Sequence, residues 1–414
     1  YTPLLTIFFG FVYFLSILVI GRILLNILKI NIFYPWNLSA RIILGVFTLS
    51  LINQLIAILK INTFQIYIFI VVILSILSVW ELRKILSFKI KFNSQNFLPL
   101  TLLSLIFSIR FALSIIPSTK IDELNYHMLL PQRMVYDQAL NYYQFPWEAS
   151  ILPHMHFQIL GAPFYAIGLP DSMNIVSLGI FSTFDFTIYS LITEITKESS
   201  LGIWSAVLIS TGLHSTVDLT TNASNSLLIL GSAISIIVLC DPNKFLPAND
   251  LKSFSIYYGL LFLASISSKV SMIPISFLMI FIFIKIINDY WSNKKLLLAF
   301  LYFLVPIIIF YLPLLFHTWI ESGSPFGTFL NSFFTGQEPI YDPYLEFREG
   351  NIGYRGEFKE ILFFLITKWT PLVWIAWIFI PLSKINLRTK LVISFIFIIQ
   401  FFIIWSLLPN RPRH

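Results

Sequence analysis

Apolar residues run along this chain in long continuous stretches, separated by short clusters of Lys, Asn, Pro and Gly. They lack the two-residue alternation that a barrel strand needs, so they read as helices. Lipid offers no partner to a free backbone group, and an apolar run of roughly 17 to 25 residues spans a hydrocarbon core as a helix. Spans are predicted near 3–27, 39–59, 63–80, 97–117, 173–193, 201–213, 224–240, 254–268, 272–287, 296–316, 359–382 and 391–408. The expected architecture is an all-α polytopic membrane protein with about twelve transmembrane helices and interfacial helices in two long loops. The stretch 155–168 (Met155, Phe157, Ile159, Leu160, Phe164, Ile167) is too short and too broken by Gly161, Pro163 and Gly168 to cross, and is expected at the interface.

Composition agrees: 57% of residues are hydrophobic and 11% charged, whereas soluble domains carry about twice that charged fraction. The net charge of +7 comes from Lys and Arg scattered singly through short loops, not from a basic stripe, which argues against nucleic acid as a partner. One cysteine, Cys240, excludes an internal disulfide and every multi-cysteine metal cage. Tyr1 is read as not the true start, and both ends are taken as incomplete. The Ile-, Phe-, Asn- and Lys-rich usage suggests a bacterial source.

Sidedness follows from the basic residues of the short loops. Lys29, Arg41, Arg83, Lys84, Lys89, Lys91, Lys197, Lys244, Lys252, Lys294, Lys295, Lys384, Arg388 and Lys390 fall on one set of connections, read as cytoplasmic. The opposite side receives the long loops 118–172 and 317–358, which hold most of the acidic residues, and all six histidines fall in or beside outer connections. A bacterial inner membrane with chemistry on its outer face is the expected setting. Within the spans ionisable groups are few, notably Arg110 and Asp185, and each should face protein or water, with Arg110 paired to an internal carbonyl or near Asp185. A transporter or flippase would place more polar groups along the spans.

The strongest local signal is Lys120-Ile121-Asp122-Glu123-Leu124-Asn125-Tyr126-His127, directly after a span ending at Pro117. A carboxylate at the boundary between membrane and water can have its pKa raised by partial desolvation and can take a proton from a hydroxyl. Were 122–130 to begin a helix, Glu123 and His127 would share one face and Asp122 and Tyr126 the next. The plainer role for Asp122 is a helix cap. His154 and His156 could hold a metal with Asp122 or His127, but a divalent metal is not favoured. Tyr142, Tyr143, Phe145 and Trp147 suit either a sugar ring or the membrane interface.

The run from Asp122 to His127, with Leu129-Leu130-Pro131 and then Leu152-Pro153-His154, resembles the first outer loop of GT-C glycosyltransferases related to protein O-mannosyltransferases and the lipid A aminoarabinose transferase. Val217-Asp218-Leu219 resembles their second acidic motif, Ser268-Lys269-Val270 a Thr/Ser-Lys that opens a later helix, and Ser322-Gly323-Ser324-Pro325-Phe326 with Asn331 their Gly-Asn-Pro motif. Leu312-Pro313 and His317-Thr318-Trp319 replace pairs usual before that last motif, and Ser324 stands where Asn is usual. The likeness covers roughly 97–414, with the helices of 1–96 outside the shared core.

The resemblance implies inverting transfer of a sugar from a polyprenyl-phosphate carrier to an acceptor hydroxyl, with no cofactor. It makes Asp122 the general base, with Glu123 and Asp218 in the catalytic group; Lys269, Arg411, Arg413 and Arg110 would meet the donor phosphate; Tyr126, His127 and His154 would contact acceptor or sugar. The remaining alternatives are a non-catalytic subunit of the same fold and a lipid-linked-sugar flippase.

Overall fold

A computed structural model describes residues 2–33, 36–86, 96–117, 128–143, 152–210, 250–267, 273–327 and 334–336, with isolated positions 391 and 394. Every regular element among the described residues is helical. In chain order they are α1 (Pro3–Ile27), α2 (Trp36–Ile58), α3 (Phe64–Leu86), α4 (Phe97–Ile115), α5 (Leu129–Tyr136), α6 (His156–Ile159), α7 (Ala162–Ala166), α8 (Ser172–Thr196), α9 (Ser199–Ser210), α10 (Leu251–Ile266) and α11 (Ile273–Tyr290). Last comes α12 (Leu296–Ser322). A 3-10 turn at Leu152–His154 precedes α6.

Five of these helices are long and apolar enough to cross a membrane: α1, α2, α4, α8 from Ser172 to Glu194, and α12. The protein is therefore an integral membrane protein with a helical bundle. Observed ends differ from the hydropathy reading by a few residues, and α12 runs through positions 317–322, which were expected in the second long loop. Thr318 is buried on that extra turn, so packing prolongs the helix beyond its most apolar part. The spans expected at 224–240, 359–382 and 391–408 lie largely or wholly outside the described residues.

The bundle is organised around α10. Of its residues only Lys252 is not fully buried, as expected of a helix that is apolar all round. Asp250 caps it, its Oδ1 accepting from the Ser253 amide at 3.0 Å and its Oδ2 from the Ser253 hydroxyl at 2.6 Å. Tyr257 bonds Ser39 of α2 at 2.9 Å, and the Tyr258 hydroxyl donates to the Met279 carbonyl of α11 at 3.0 Å. Phe283 and Phe303 meet at 4.9 Å between ring centroids, joining α11 to α12 beside it. One apolar cluster runs through α1, α2, α8, α10, α11 and α12, so helices on both sides of residue 96 share a core.

α1 and α2 approach backbone to backbone. A Cβ on Gly21 would lie 1.9 Å from the Arg41 carbonyl, and one on Gly45 2.1 Å from that of Ile17. Without a hydrophobic drive between helices in lipid, such small-residue contacts let dispersion hold a pair together.

Two faces can be told apart. On one, Lys252 Nζ donates to the Leu28 carbonyl at 2.8 Å, satisfying the end of α1, and the Asn31 amide donates to Ser253 at 3.0 Å. On the other, Asn62 bonds the Met134 carbonyl at 2.5 Å, and His317 the Leu140 carbonyl at 2.7 Å. The stretch 155–168 folds as α6 and α7 and does not cross. It is wrapped in protein rather than lying along the surface, with every residue from His154 to Phe164 buried. Tyr13 donates to the Leu160 carbonyl at 3.3 Å and Asn53 to the Ile159 carbonyl at 3.2 Å, fixing the backbone of this segment.

Candidate functional site

Most residues singled out from the sequence (Asp122, Glu123, Tyr126, His127, Asp218, Lys269, Arg411 and Arg413) lie outside the described residues. Arg110 and His154 are described, and each anchors a separate buried polar cluster.

The first cluster begins with a backbone irregularity in α12. Pro306 has no amide to give the preceding turn, and the next residues, Ile307–Tyr311, wind as a π turn before α-helix resumes at Leu312. Single π turns inside α-helices are a frequent mark of functional sites. Phe310 and Tyr311 on this turn are buried. The Tyr311 hydroxyl lies 3.4 Å from His154 Nε2, and the Tyr311 ring stacks on His156 with centroids 6.4 Å apart.

His156 is held from the other side by α2. Its Nδ1 is 3.2 Å from both the Ser50 hydroxyl and Gln54 Nε2, and Gln54 Nε2 donates to Ser50 Oγ at 3.1 Å. Phe47, three residues before Ser50 on that helix, meets the His156 ring edge-on at 4.8 Å. Burial pushes His154 down to about 4, partly offset by the Ile266 backbone at the end of α10. Burial and then the neighbouring His154 push His156 down to about 3. Both rings are neutral near pH 7.

The second cluster joins α4, α8 and α9. Arg110 Nη1 meets Asp185 Oδ2 at 2.7 Å, Nη2 donates to the Ser210 carbonyl at 2.7 Å, and the guanidinium sits 4.0 Å from the centre of the Phe181 ring. Both partners anticipated for Arg110, Asp185 and an internal carbonyl, are thus present. The Arg110 side chain is 2% exposed and that of Asp185 11%, so each charge relies on the other for its solvation.

Elsewhere the first long loop is tied down by polar contacts. Tyr143 donates to Asp137 at 2.5 Å and lies under the Arg133 guanidinium at 4.9 Å. Phe145 and Trp147 lie outside the described residues. Among the described residues no group of three or more His, Cys, Asp or Glu side chains is placed to hold a metal.

Ser50, Gln54 and Tyr311 were not anticipated. The adjacent amides Asn53-Gln54 inside an apolar span were the available signal, since an amide side chain in a membrane helix seeks a partner. Ser and Tyr carry no such mark in a sequence this rich in both.

Comparison of the chain with protein-family models, with curated proteins and with solved structures gives no match. What fold and site define is a helical integral membrane protein with two buried polar clusters among its described helices.

Proposed function

We propose that this chain is a GT-C-type glycosyltransferase with about twelve spans, moving a sugar from a polyprenyl-phosphate carrier to an acceptor hydroxyl at the outer face of a bacterial inner membrane. What supports the reading is that His154, in one segment that resembles the family, lies against helices that lead toward two others. The Ile266 backbone, three residues before Lys269, is among the groups that act on the His154 ring, which comes from Leu152-Pro153-His154. That ring also bonds Tyr311 of α12, the helix that leads into Ser322-Gly323-Ser324-Pro325-Phe326. Segments more than a hundred residues apart in sequence thus converge at one end of the bundle.

In this mechanism Asp122 takes the acceptor proton, with Glu123 and Asp218 beside it. Lys269, Arg411 and Arg413 stabilise the departing lipid phosphate. Arg110, whose terminal nitrogens are held by Asp185 and Ser210, serves the phosphate less directly. Tyr126, His127 and His154 contact sugar or acceptor. No cofactor is required.

Asp122→Asn is expected to leave the protein folded and membrane-inserted while abolishing transfer from polyprenyl-phosphate sugars in proteoliposomes. Normal transfer by the variant would remove Asp122 as the base. A flippase is the second reading, favoured by the buried neutral polar groups on α2 and α12. It predicts movement of a fluorescent lipid-linked sugar across liposomes without any acceptor.

A further inference from the structure

The hydrogen bonds around His156 leave a remainder of definite chemistry. One Gln54 N–H goes to Ser50, and with the other aimed at His156 Nδ1, 3.2 Å away, that nitrogen accepts. The neutral ring then carries its proton on Nε2, and that nitrogen has no partner although the residue is 2% exposed. Gln54 Oε1 is likewise buried and without a partner. Turning the amide over exchanges the roles: Oε1 would accept from His156 Nδ1–H, leaving the imidazole Nε2 as an open acceptor and the amide N–H as an open donor. In both assignments the pair is short of one donor contact and one acceptor contact.

Hydroxyl groups, each both donor and acceptor, meet either assignment at either atom. A charged group does not fit as well: among the described residues, no charged side chain forms a hydrogen bond or ion pair with Ser50, Gln54, His154, His156 or Tyr311. Both rings are held neutral by burial, so an ion would lose hydration and gain no counter-charge. The geometry points to a subsite in which Ser50, Gln54, His156 and Tyr311 bind neutral sugar hydroxyls of the lipid-linked donor. This rests on the transfer reading, and it gives the site a residue set from α2 and α12 that no sequence motif marks.

The test measures binding to the full chain in lipid nanodiscs. The probes are farnesyl phosphate and its phosphodiesters with mannose, glucose, galactose and N-acetylglucosamine. At least one sugar-bearing probe should bind about tenfold more tightly than farnesyl phosphate, the value of one or two good hydrogen bonds. In His156→Phe, Gln54→Met and Tyr311→Phe that advantage should fall to about twofold or less, with farnesyl phosphate bound as in the unaltered chain, which also certifies folding. Tyr311→Phe removes one hydroxyl and no ring, so it remains informative if the other two variants do not fold.

No gain from any of the four sugars, or a gain kept by every variant that folds, overturns the subsite. The two proposals fail separately. If Asp122→Asn stops transfer while the His156 and Gln54 variants keep the sugar advantage, the subsite falls and transfer stands. If Asp122→Asn transfers normally while the advantage depends on Gln54 and His156, the subsite stands and the assigned base falls.

Discussion

At the scale of single residues, the Arg110–Asp185 pair and the two histidines illustrate opposite ways of burying an ionisable group. The pair stays charged and shares its solvation; the histidines lose their charge. Asp185→Leu leaves the Arg110 guanidinium buried without its counter-charge and should lower stability by about 3–5 kcal/mol. The double variant Arg110→Leu with Asp185→Leu should recover most of that loss. Thermal unfolding of the purified variants decides it, and a double variant as unstable as the single one would contradict the argument. For the histidines the sign follows from linkage. Their folded values, about 4 and about 3, lie below the ordinary 6.5, so below pH 6.5 the unfolded chain binds protons that the folded chain refuses. Stability should be complete above pH 6.5 and decline by about 1.4 kcal/mol per pH unit for each ring as pH falls toward 4. His156→Phe should make the melting temperature less dependent on pH across that window; an unaltered slope would count against burial as the cause.

At the scale of elements, long apolar helices end in left-handed residues that are not glycine. Lys29 after α1, Lys60 after α2 and Lys197 after α8 have φ of 52°, 55° and 61°. After α2 the Lys60 amide donates to the Ala57 carbonyl at 3.1 Å and the Ile61 amide to the Ile56 carbonyl at 3.0 Å, the paired bonds of a Schellman end. A lysine there meets the negative end of the helix dipole and water at once, while its Cβ is strained. Exposed Lys60→Gly should therefore stabilise by about 0.5–1 kcal/mol, read as a small rise in melting temperature. A fall would show that the charge outweighs the strain.

The elements were largely legible because apolar runs in α1, α2, α4 and α8 leave helix as the one structure lipid tolerates. Arg110 and Asp185 were legible for the same reason, since charges inside spans must find each other or a carbonyl. The partners of His156 were not. Ser50 and Tyr311 reach it from helices 106 and 155 residues away in sequence, by way of a bundle arrangement that no single span encodes. Nor does the sequence signal the π turn beyond the presence of Pro306.

At the scale of the whole molecule, the contacts at Leu28–Lys252 and at Leu140–His317 define two faces separated by the length of α12. Lys294 lies just before the start of that helix and Tyr136 belongs to the segment bonded near its far end; both are exposed. With Cys240→Ser as background, Lys294→Cys and Tyr136→Cys should react with an impermeant thiol reagent from opposite sides of sealed vesicles. The topology set out above expects Tyr136 to face outward. Labelling of both from one side would refute the two-faced bundle, and reversed labelling would refute only its orientation.

The burial of α10 also bears on biosynthesis. The helix has sixteen residues, nearly all enclosed by protein in the finished bundle, and two of its neighbours, α11 and α12, follow it in the chain. When α10 leaves the ribosome, the surfaces that will pack on Phe283 and Phe303 have no protein against them. Lipid must cover them first and then be displaced as the later helices arrive. Assembly therefore finishes from the C-terminal side: α2 can receive one flank of α10 early, but the helix becomes a core only when α11 and α12 close over the other.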